Sequence, residues 1–411
     1  MSDTPLSRTP QSVNAIGELV GMYKYLHANP ELSLQEHRTS DYVARKLAAY
    51  GYTVHRIGGT GVVGVLVNGE GPTIAYRADM DGLPVKEQTS LEYASTATAI
   101  LNGAEVPVMH ACGHDVHMAV ALGTAELLSD ARARWGGTAV FIFQPAEEIA
   151  AGAKAMVDDG LWCKIPKPEI VLGQHVMPYE AGKLFFPIGP AMSMADSWKV
   201  TLHGKGAHGS QPDESIDPIV LGASIVMRLQ TIVSREVNPR EIAVVTVGTF
   251  HSGLKENIIP ESAELTVNVR TFTFEVREKV LKAIRRIVSA EAAAAGAPDP
   301  DIEVISEFPP CYNDPEETRR TMAAIAGELG SEKVVESLPH MASEDFGHLG
   351  QSIGIPTVYW FLGSVAANAT SDPGAIPVNH SPHFAPVPDP TLTTGLAAAA
   401  TAILARLGKR A

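Results

Sequence analysis

The segment Gly137-Thr-Ala-Val-Phe-Ile-Phe143 is apolar except for Thr138 and ends at Gln144-Pro145. Such a run predicts a strand buried on both faces, and the proline that follows cannot donate to a strand ladder. Upstream, residues 116–128 are apolar and rich in alanine, which predicts a buried helix. With a further strand at residues 73–77, the order strand, loop, helix, strand indicates an α/β sheet, in which ligands bind at the carboxyl ends of strands.

Chemically active side chains follow these predicted strands. Asp79 and Asp81 come directly after residues 73–77, and Glu147 and Glu148 follow Pro145. His175 comes after the apolar residues Ile170-Val-Leu172, so we expect it at a strand end as well. The sequence therefore predicts that carboxylates and a histidine meet at one edge of the sheet.

The richest cluster is Met109-His-Ala-Cys-Gly-His-Asp-Val-His117. Imidazole, thiolate and carboxylate are the side chains that bind divalent transition metals. Cys112 and His114 are two apart on a glycine-containing loop, so both can face one centre; the alternative is a buried cysteine beside a structural histidine. Asp115 and His117 either orient a ligand or cap and pack the following helix.

The pair Glu147-Glu148 suggests a division of labour. One carboxylate would bind metal while the other takes a proton from metal-activated water. The alternative is a solvated helix start, where acidic residues are favourable. His175 could also be a structural histidine that binds no metal. His380 lies in a proline-rich segment where a histidine is not needed for packing.

The pattern changes near Gly189. Predicted strands and helices then follow in the order strand, helix, strand, strand, helix, at residues 197–203, 217–235, 243–250, 263–271 and 274–294. This order is typical of an antiparallel sheet with helices on one face. Because metal-type residues occur on both sides of it, we expect an inserted domain at 189–301 between two parts of a larger domain, 1–188 and 302–411.

The inserted region contains its own candidate site residues. A glycine-rich loop, residues 204–212, carries His208 but lacks the Gly-Lys-Ser/Thr ending of a phosphate loop. A histidine on such a loop could stabilise an oxyanion. Asn257 and Arg270 lie near strand ends and could bind a substrate carboxylate, although Arg270 fits a surface charge equally well.

Composition excludes several classes of protein. A chain of 411 residues is too long for one ordinary hydrophobic core, so two domains are expected. A net charge of −14 disfavours nucleic acid as a partner. Apolar runs fall short of the roughly 20 residues that span a bilayer, so no membrane association is expected. Three scattered cysteines do not make a disulfide framework, and the polar start lacks a signal-peptide core. These features together predict a cytoplasmic protein.

Several motifs, in the same order, resemble the aminoacylase/carboxypeptidase metallopeptidase family and its amidohydrolase branch. That branch includes hippurate hydrolases, plant indole-acetic-acid–amino-acid hydrolases, N-acyl-amino-acid aminoacylases and N-acetyl-diaminopimelate deacetylases. The resemblance covers nearly the whole chain and rests on residues 26–33, 77–84, 109–117, 145–148, 204–212, 268–272, 343–346 and 379–383. It implies an α/β catalytic domain with a mixed sheet flanked by helices, plus an inserted α+β lid and dimerisation domain.

The resemblance also implies roles for particular residues. A two-metal centre of Zn or Mn, with Co or Ni as further options, would be bound by Cys112, His114, Glu148, His175 and His380, the cysteine bridging. Glu147 would be the general base and later the acid, oriented by Asp81, while Asp79 has no firm role. His208 would reach the active site of a neighbouring subunit in a homodimer, with Asn257 nearby and Arg270 as a further substrate-binding candidate.

The predicted function is hydrolysis of the amide bond of N-acyl amino acids to a carboxylic acid and a free amino acid. The alternative is a dipeptidase or carboxypeptidase that uses the same two-metal centre. A metal-binding or storage protein without turnover is disfavoured because storage needs neither Glu147 nor the His208 loop.

Overall fold

The computed structural model describes residues 13–367, 369, 374 and 376–408. These residues form two compact units. The first comprises the residues up to 191, residues 311–339 and those from 345 onward; the second comprises residues 192–310 and 340–344. In this described part of the chain, no helix is both long and apolar enough to cross a membrane.

The elements are numbered in chain order. The strands are β1 Thr53–Arg56, β2 Val62–Asn68, β3 Thr73–Asp79, β4 Thr98–Leu101, β5 Ala104–Pro107, β6 Gly137–Gln144, β7 Ile170–Glu180, β8 Leu184–Pro187, β9 Gly189–Met192, β10 Met194–His203, β11 Ala207–His208, β12 Ala243–Ser252, β13 Ile258–Ile259, β14 Ser262–Thr271, β15 Asp301–Phe308, β16 Cys311–Asn313, β17 Val334–Ser337 and β18 Thr357–Val365. The α-helices are α1 Val13–His27, α2 His37–Ala49, α3 His114–Asp130, α4 Gly152–Asp158, α5 Leu161–Lys164, α6 Pro218–Thr231, α7 Phe274–Ala294, α8 Pro315–Leu329, α9 Gly347–Gln351 and α10 Pro388–Leu404.

The first unit is built on a mixed sheet with the strand order β1-β2-β6-β3-β7-β18-β8-β17. Its middle strands β6, β3, β7 and β18 run parallel to one another. Every residue of β6 is buried, as its predominantly apolar sequence predicts. Because these strands share one direction, the residues that follow β3 and β6 emerge at the same edge of the sheet. The α/β architecture expected from the sequence is confirmed.

Helices cover this sheet through apolar faces. Helix α3 packs on α1, on α10 and on the sheet, and its first twelve residues are all buried. Alanine-rich helices such as α3 and α10 allow close approach because the methyl side chain takes up little space. Helices α1 and α2 lie on either side of Asn29-Pro30, where proline and the residue before it disfavour a continuous helix.

The second unit is an antiparallel sheet with the order β12-β14-β10-β15. Alternate residues of β14 are buried, and they pack with apolar residues of α6 and α7 in one core. Asp217 caps α6 by accepting hydrogen bonds from the backbone N–H groups of Ile219 and Val220. The predicted strand and helix order of this region is therefore confirmed.

The boundaries of the second unit differ from the expected 189–301. Residues 301–308 are not a return to the first unit, because they form the edge strand β15 paired with β10. Residues 340–344 also belong to the second unit, since Ser193 donates from its backbone N–H and its hydroxyl to carbonyl groups of this segment. Both additions are long-range pairings that local sequence patterns do not reveal.

A candidate dinuclear metal centre

The five residues proposed as ligands lie together in the first unit. Cys112 precedes Gly113, whose φ of +84° is in the left-handed region, and α3 begins at His114. His114 is thus the first helical residue and does not lie on the loop that the sequence suggested. A side chain at position 113 would place its Cβ 2.2 Å from Val176 Cγ1, so only glycine permits this turn.

The donor atoms form two triplets that share one residue. Cys112, His114 and His175 have donor atoms within 4.8 Å of one another, and so have Cys112, Glu148 and His380. Within these triplets Cys112 Sγ lies 3.4 Å from His175 Nε2, and His380 Nε2 lies 3.5 Å from Glu148 Oε2. The thiol therefore stands between two groups of donors, the position that a bridging ligand needs.

His175 presents one ring nitrogen to this cluster. Its Nδ1 lies 2.7 Å from the carbonyl oxygen of Val176 and donates to it, which leaves the Nε2 lone pair facing Cys112. Burial lowers the pKa of His175 well below its usual value, so the ring is neutral as metal binding requires. The residue lies inside β7, opposite Phe361, and not at a strand end as expected, because β7 continues to Glu180.

His380 reaches the cluster from a turn. Its φ is +70°, a conformation that favours glycine, and its backbone N–H donates to Ala111 O at 2.8 Å. The preceding Asn379 donates to the carbonyl oxygens of Cys112 and Val176. These contacts hold a strained turn in place, and 56% of the His380 side chain remains exposed, so the cluster is open on this side.

Two aspartates flank His114. Asp81 Oδ1 lies 3.3 Å from His114 Nδ1, and Asp79 Oδ2 lies 3.6 Å from His114 Nε2. Burial lowers the pKa of His114, but the charges of Asp79, Asp81 and Glu148 outweigh burial and raise it to about 10. The buried carboxylates around His114 form a negative site that attracts cations.

Glu147 and Glu148 lie on a turn, residues 145–152, which we call the Glu147 turn. It is not the start of a helix, because Ala146 and Ala150 have left-handed φ values of +49° and +56°. Each of these backbone conformations costs about 1–3 kcal/mol. A Cβ at Gly152 would lie 1.5 Å from the carbonyl oxygen of Pro145, so the turn requires glycine there. Glu147 is 5% exposed, which excludes the solvated alternative.

The two carboxylates of this turn face the cluster. Glu147 Oε2 lies 3.9 Å and Glu148 Oε1 3.8 Å from His114 Nε2. Burial, together with Asp81 and Asp79, raises the pKa of Glu148 to about 7 against the lowering effect of His114. Glu148 also completes the triplet with His380 and Cys112, so the two adjacent residues occupy different positions toward the donors.

The donor set fits divalent cations. Two of its buried atoms, His114 Nε2 and Glu148 Oε1, have no hydrogen-bond partner among the described residues. Buried polar atoms without partners are costly, and a cation would satisfy those that face the cluster. Burial and the nearby Glu148 raise the pKa of the Cys112 thiol, so a strong positive charge is needed to hold it as thiolate.

Sequence reasoning missed a buried network behind the centre. Arg77 donates to Asp79 at 2.7 Å and to Gln144 at 2.9 Å, and Gln144 donates to Asp345 at 2.6 Å. Asp79 in turn accepts from His117 Nδ1 at 2.5 Å, and His117 Nε2 accepts from the backbone N–H of Val176. The sequence feature that could have revealed this network is Arg77, a charged residue within an otherwise apolar strand.

A second missed contact joins α1 to α3. His27 lies 2.6 Å from Asp115 and 3.0 Å from Glu87, and its side chain is fully buried. Asp115 thus pairs with His27 and accepts from the backbone N–H of Val116 at 3.0 Å, so its contacts pack α3 against α1. His110 is buried, and burial lowers its pKa to about 4.

The remaining candidates lie in the second unit. His208 is exposed on β11, where its Nδ1 accepts from the backbone N–H of Ser210 at 3.1 Å, so its Nε2 is the ring nitrogen that can donate. Asn257 is exposed beside it and accepts from Gly209 N at 2.8 Å. Arg270 is half-buried and donates to Asn268 and Ser343, so it is not a free surface charge.

Comparisons with known proteins identify the family of this chain. The model of peptidase family M20/M25/M40 matches residues 75–405. A thermostable carboxypeptidase of Saccharolobus solfataricus is 37% identical over 89% of this chain and 90% of that protein. A hippurate hydrolase of Campylobacter jejuni is 39% identical over 82% of this chain and 86% of that protein.

A solved structure supports the same assignment. It is a dinuclear metal binding peptidase of the M20 family from Bacillus subtilis, with a TM-score of 0.77 and 31% identity. The match covers 96% of this chain and 100% of that one. Fold, ordered motifs and sequence identity over most of the chain agree, and the chain therefore belongs to peptidase family M20/M25/M40.

Proposed function

We propose that this chain is a metal-dependent amidohydrolase that cleaves N-acyl amino acids to a carboxylic acid and a free amino acid. The observation that carries the proposal is a buried carboxylate, Glu147, beside two donor triplets that share Cys112. A binding protein needs only the donors, whereas hydrolysis also needs a proton carrier. The names of relatives such as the hippurate hydrolase support the substrate class.

The proposed ligands are Cys112, His114, Glu148, His175 and His380, with Zn or Mn as the cations and Co or Ni as alternatives. Thiolate, imidazole and carboxylate together suit this group of metals. Bound cations would lower the pKa of a water molecule and polarise the scissile carbonyl. The similarity to the dinuclear metal binding peptidase of Bacillus subtilis supports two cations per chain.

Glu147 carries the proton in this proposal. Its carboxylate takes a proton from the attacking water and delivers it to the leaving nitrogen. Asp81 supports the site through His114, 3.3 Å away, and through the backbone N–H of Glu148, which donates to it at 3.0 Å. Because Asp81 holds both a proposed ligand and the turn that carries Glu147, its role extends beyond orienting the base alone.

His208, Asn257 and Arg270 are proposed to act on substrate. His208 Nε2–H would donate to the oxyanion that forms when water attacks the carbonyl, which is worth about 10²–10³-fold in turnover where such donors have been removed. Asn257 and Arg270 would bind the substrate carboxylate. We propose further that residues 192–310 are a lid and dimerisation domain of a cytoplasmic homodimer, and that His208 acts in the neighbouring subunit.

A dipeptidase or carboxypeptidase with the same centre is the second candidate, favoured by the name of the Saccharolobus solfataricus relatives. Hippurate, N-acetyl amino acids and dipeptides with a free amine, each incubated with and without chelator, separate the two. Release of amino acid from acylated substrates that stops with chelator supports the amidohydrolase. Faster cleavage of the dipeptides, or no metal-dependent cleavage at all, would contradict it.

A further inference from the structure

Residues 30–36 lie in the connection between α1 and α2. Their side chains form hydrogen bonds with Asp81 and with the Glu147 turn. Glu36 is fully buried and Ser33 is half-buried, although neither belongs to the donor set. A buried carboxylate without a role in the chemistry is costly unless its hydrogen bonds are needed. The contacts of these two side chains are therefore informative.

Glu36 bonds to the Glu147 turn. Its Oε1 accepts from the backbone N–H of Ala146 at 2.8 Å, and its Oε2 accepts from the hydroxyl of Thr60 at 2.6 Å. Ala146 is the left-handed residue immediately before Glu147. A strained conformation persists only where its surroundings hold it, and the carboxylate of Glu36 supplies that contact.

Ser33 acts on the other side of the same turn. Its hydroxyl donates to Asp81 Oδ2 at 2.6 Å, and the same oxygen accepts from the backbone N–H of Glu148 at 3.0 Å. The backbone N–H groups on either side of Glu147, those of Ala146 and Glu148, thus both end on buried carboxylates. One of these carboxylates, Glu36, belongs to residues 30–36. The other, Asp81, accepts a hydrogen bond from Ser33 of the same segment.

We propose that Glu36 and Ser33 are positioning residues that hold the Glu147 turn, and with it Glu147 and Glu148, in the geometry that the reaction and metal binding need. This inference rests on the proposed function for its catalytic part. Its metal-binding part is independent of turnover, because Glu148 lies on the same turn. The hydrogen bonds of the two side chains go to Asp81, Thr60 and Ala146, none of which is a proposed ligand.

The same segment offers a matched control. Glu31 is also a buried carboxylate, and it accepts from the backbone N–H groups of Arg38 and Thr39. These bonds cap α2 and do not involve the Glu147 turn. Replacing Glu31 by alanine removes a comparable buried carboxylate from the same segment, so it separates general destabilisation from loss of positioning.

The test compares Glu36→Ala, Ser33→Ala, Glu36→Gln and Glu31→Ala in the full-length protein. We expect Glu36→Ala to lower the Zn²⁺ affinity, measured by competition with a chromogenic chelator, by about 10-fold or more. Hydrogen exchange of backbone amides in residues 145–152 should become about tenfold faster. On an N-acetyl amino acid, kcat should fall while KM changes little. Ser33→Ala should shift the same three readouts in the same directions.

Glu36→Gln retains the shape and can keep the hydrogen bond to Ala146, so its Zn²⁺ affinity, hydrogen exchange and kcat should stay unchanged. Glu31→Ala should also keep these three properties, while its thermal midpoint falls. If Glu36→Ala does not fold, Glu36→Asp, with its shorter side chain, replaces it. The inference is overturned if Glu36→Ala behaves like Glu31→Ala. Should the unchanged protein turn over no acylated amino acid, the proposed function fails, while Zn²⁺ affinity and hydrogen exchange still decide the positioning role.

Discussion

Glu147 and Glu148 are chemically identical neighbours in different positions. Both carboxylates form a donor triplet with His114, but Glu148 alone of the two also belongs to the triplet with Cys112 and His380. Both depend on the left-handed Ala146 and on Gly152, which let the turn direct two consecutive side chains into one buried cluster. The contact with Cys112 and His380 supports the proposed role of Glu148 as ligand and leaves Glu147 as the proposed base.

Glu147→Gln tests the proton carrier at the scale of one residue. Glutamine keeps the shape but cannot accept the proton, so kcat should fall by about 10²–10⁴-fold. Bound metal, measured by mass spectrometry of the desalted protein, should stay unchanged because Glu147 is not a proposed ligand. Glu148→Gln is the matched control and should lose metal as well as turnover. Near-normal kcat in Glu147→Gln would refute the assignment.

At the scale of elements, a buried ion pair fixes the end of α1 to the start of α3. Burial lowers the pKa of His27, but its bonds to Asp115 and Glu87 outweigh burial and raise it from 6.5 to about 10. A group whose pKa is raised on folding contributes stability that is fully present below its unfolded value and is lost as pH rises through the folded value. His27 therefore stabilises the fold at pH 6.5 and progressively less up to pH 10.

We expect the denaturant midpoint of the metal-free protein to fall between pH 6.5 and pH 10, and to fall distinctly less in His27→Gln. The variant should also be less stable at pH 6.5, since Asp115 is left buried without its cationic partner. His251→Gln, an exposed change on β12, is the control and should keep the pH dependence. Equal pH dependence in His27→Gln and the unchanged protein would contradict this role.

The elements show what sequence reasoning can and cannot reach. The apolar run of β6 and the alternation in β14 are local patterns, so strands and their burial were predictable. The pair His27–Asp115 joins residues 88 apart, and β15 belongs to its sheet only through pairing with β10. Motif order pointed to the five candidate ligands, but the turn geometry of Ala146 and the bonds of Glu36 depend on tertiary contacts that no local pattern encodes.

At the scale of the whole molecule, the proposal that His208 acts in the neighbouring subunit predicts complementation. Glu147→Gln and His208→Ala chains should each be nearly inactive, but a mixed dimer has one site with both intact residues. Equal mixing with subunit exchange should restore roughly a quarter of the unchanged activity, since half of the dimers are mixed. No recovery, with exchange confirmed by differently tagged chains, would place His208 in its own subunit or outside the reaction.

We propose that two cations, bound around the shared Cys112, are required for amide hydrolysis. The most direct test removes metal with chelator and returns Zn²⁺ or Mn²⁺ stepwise while amino acid release from an N-acyl amino acid is measured. We expect no turnover in the metal-free chain and full recovery only at two equivalents per chain. Full turnover without metal, or a plateau at one equivalent, would contradict it.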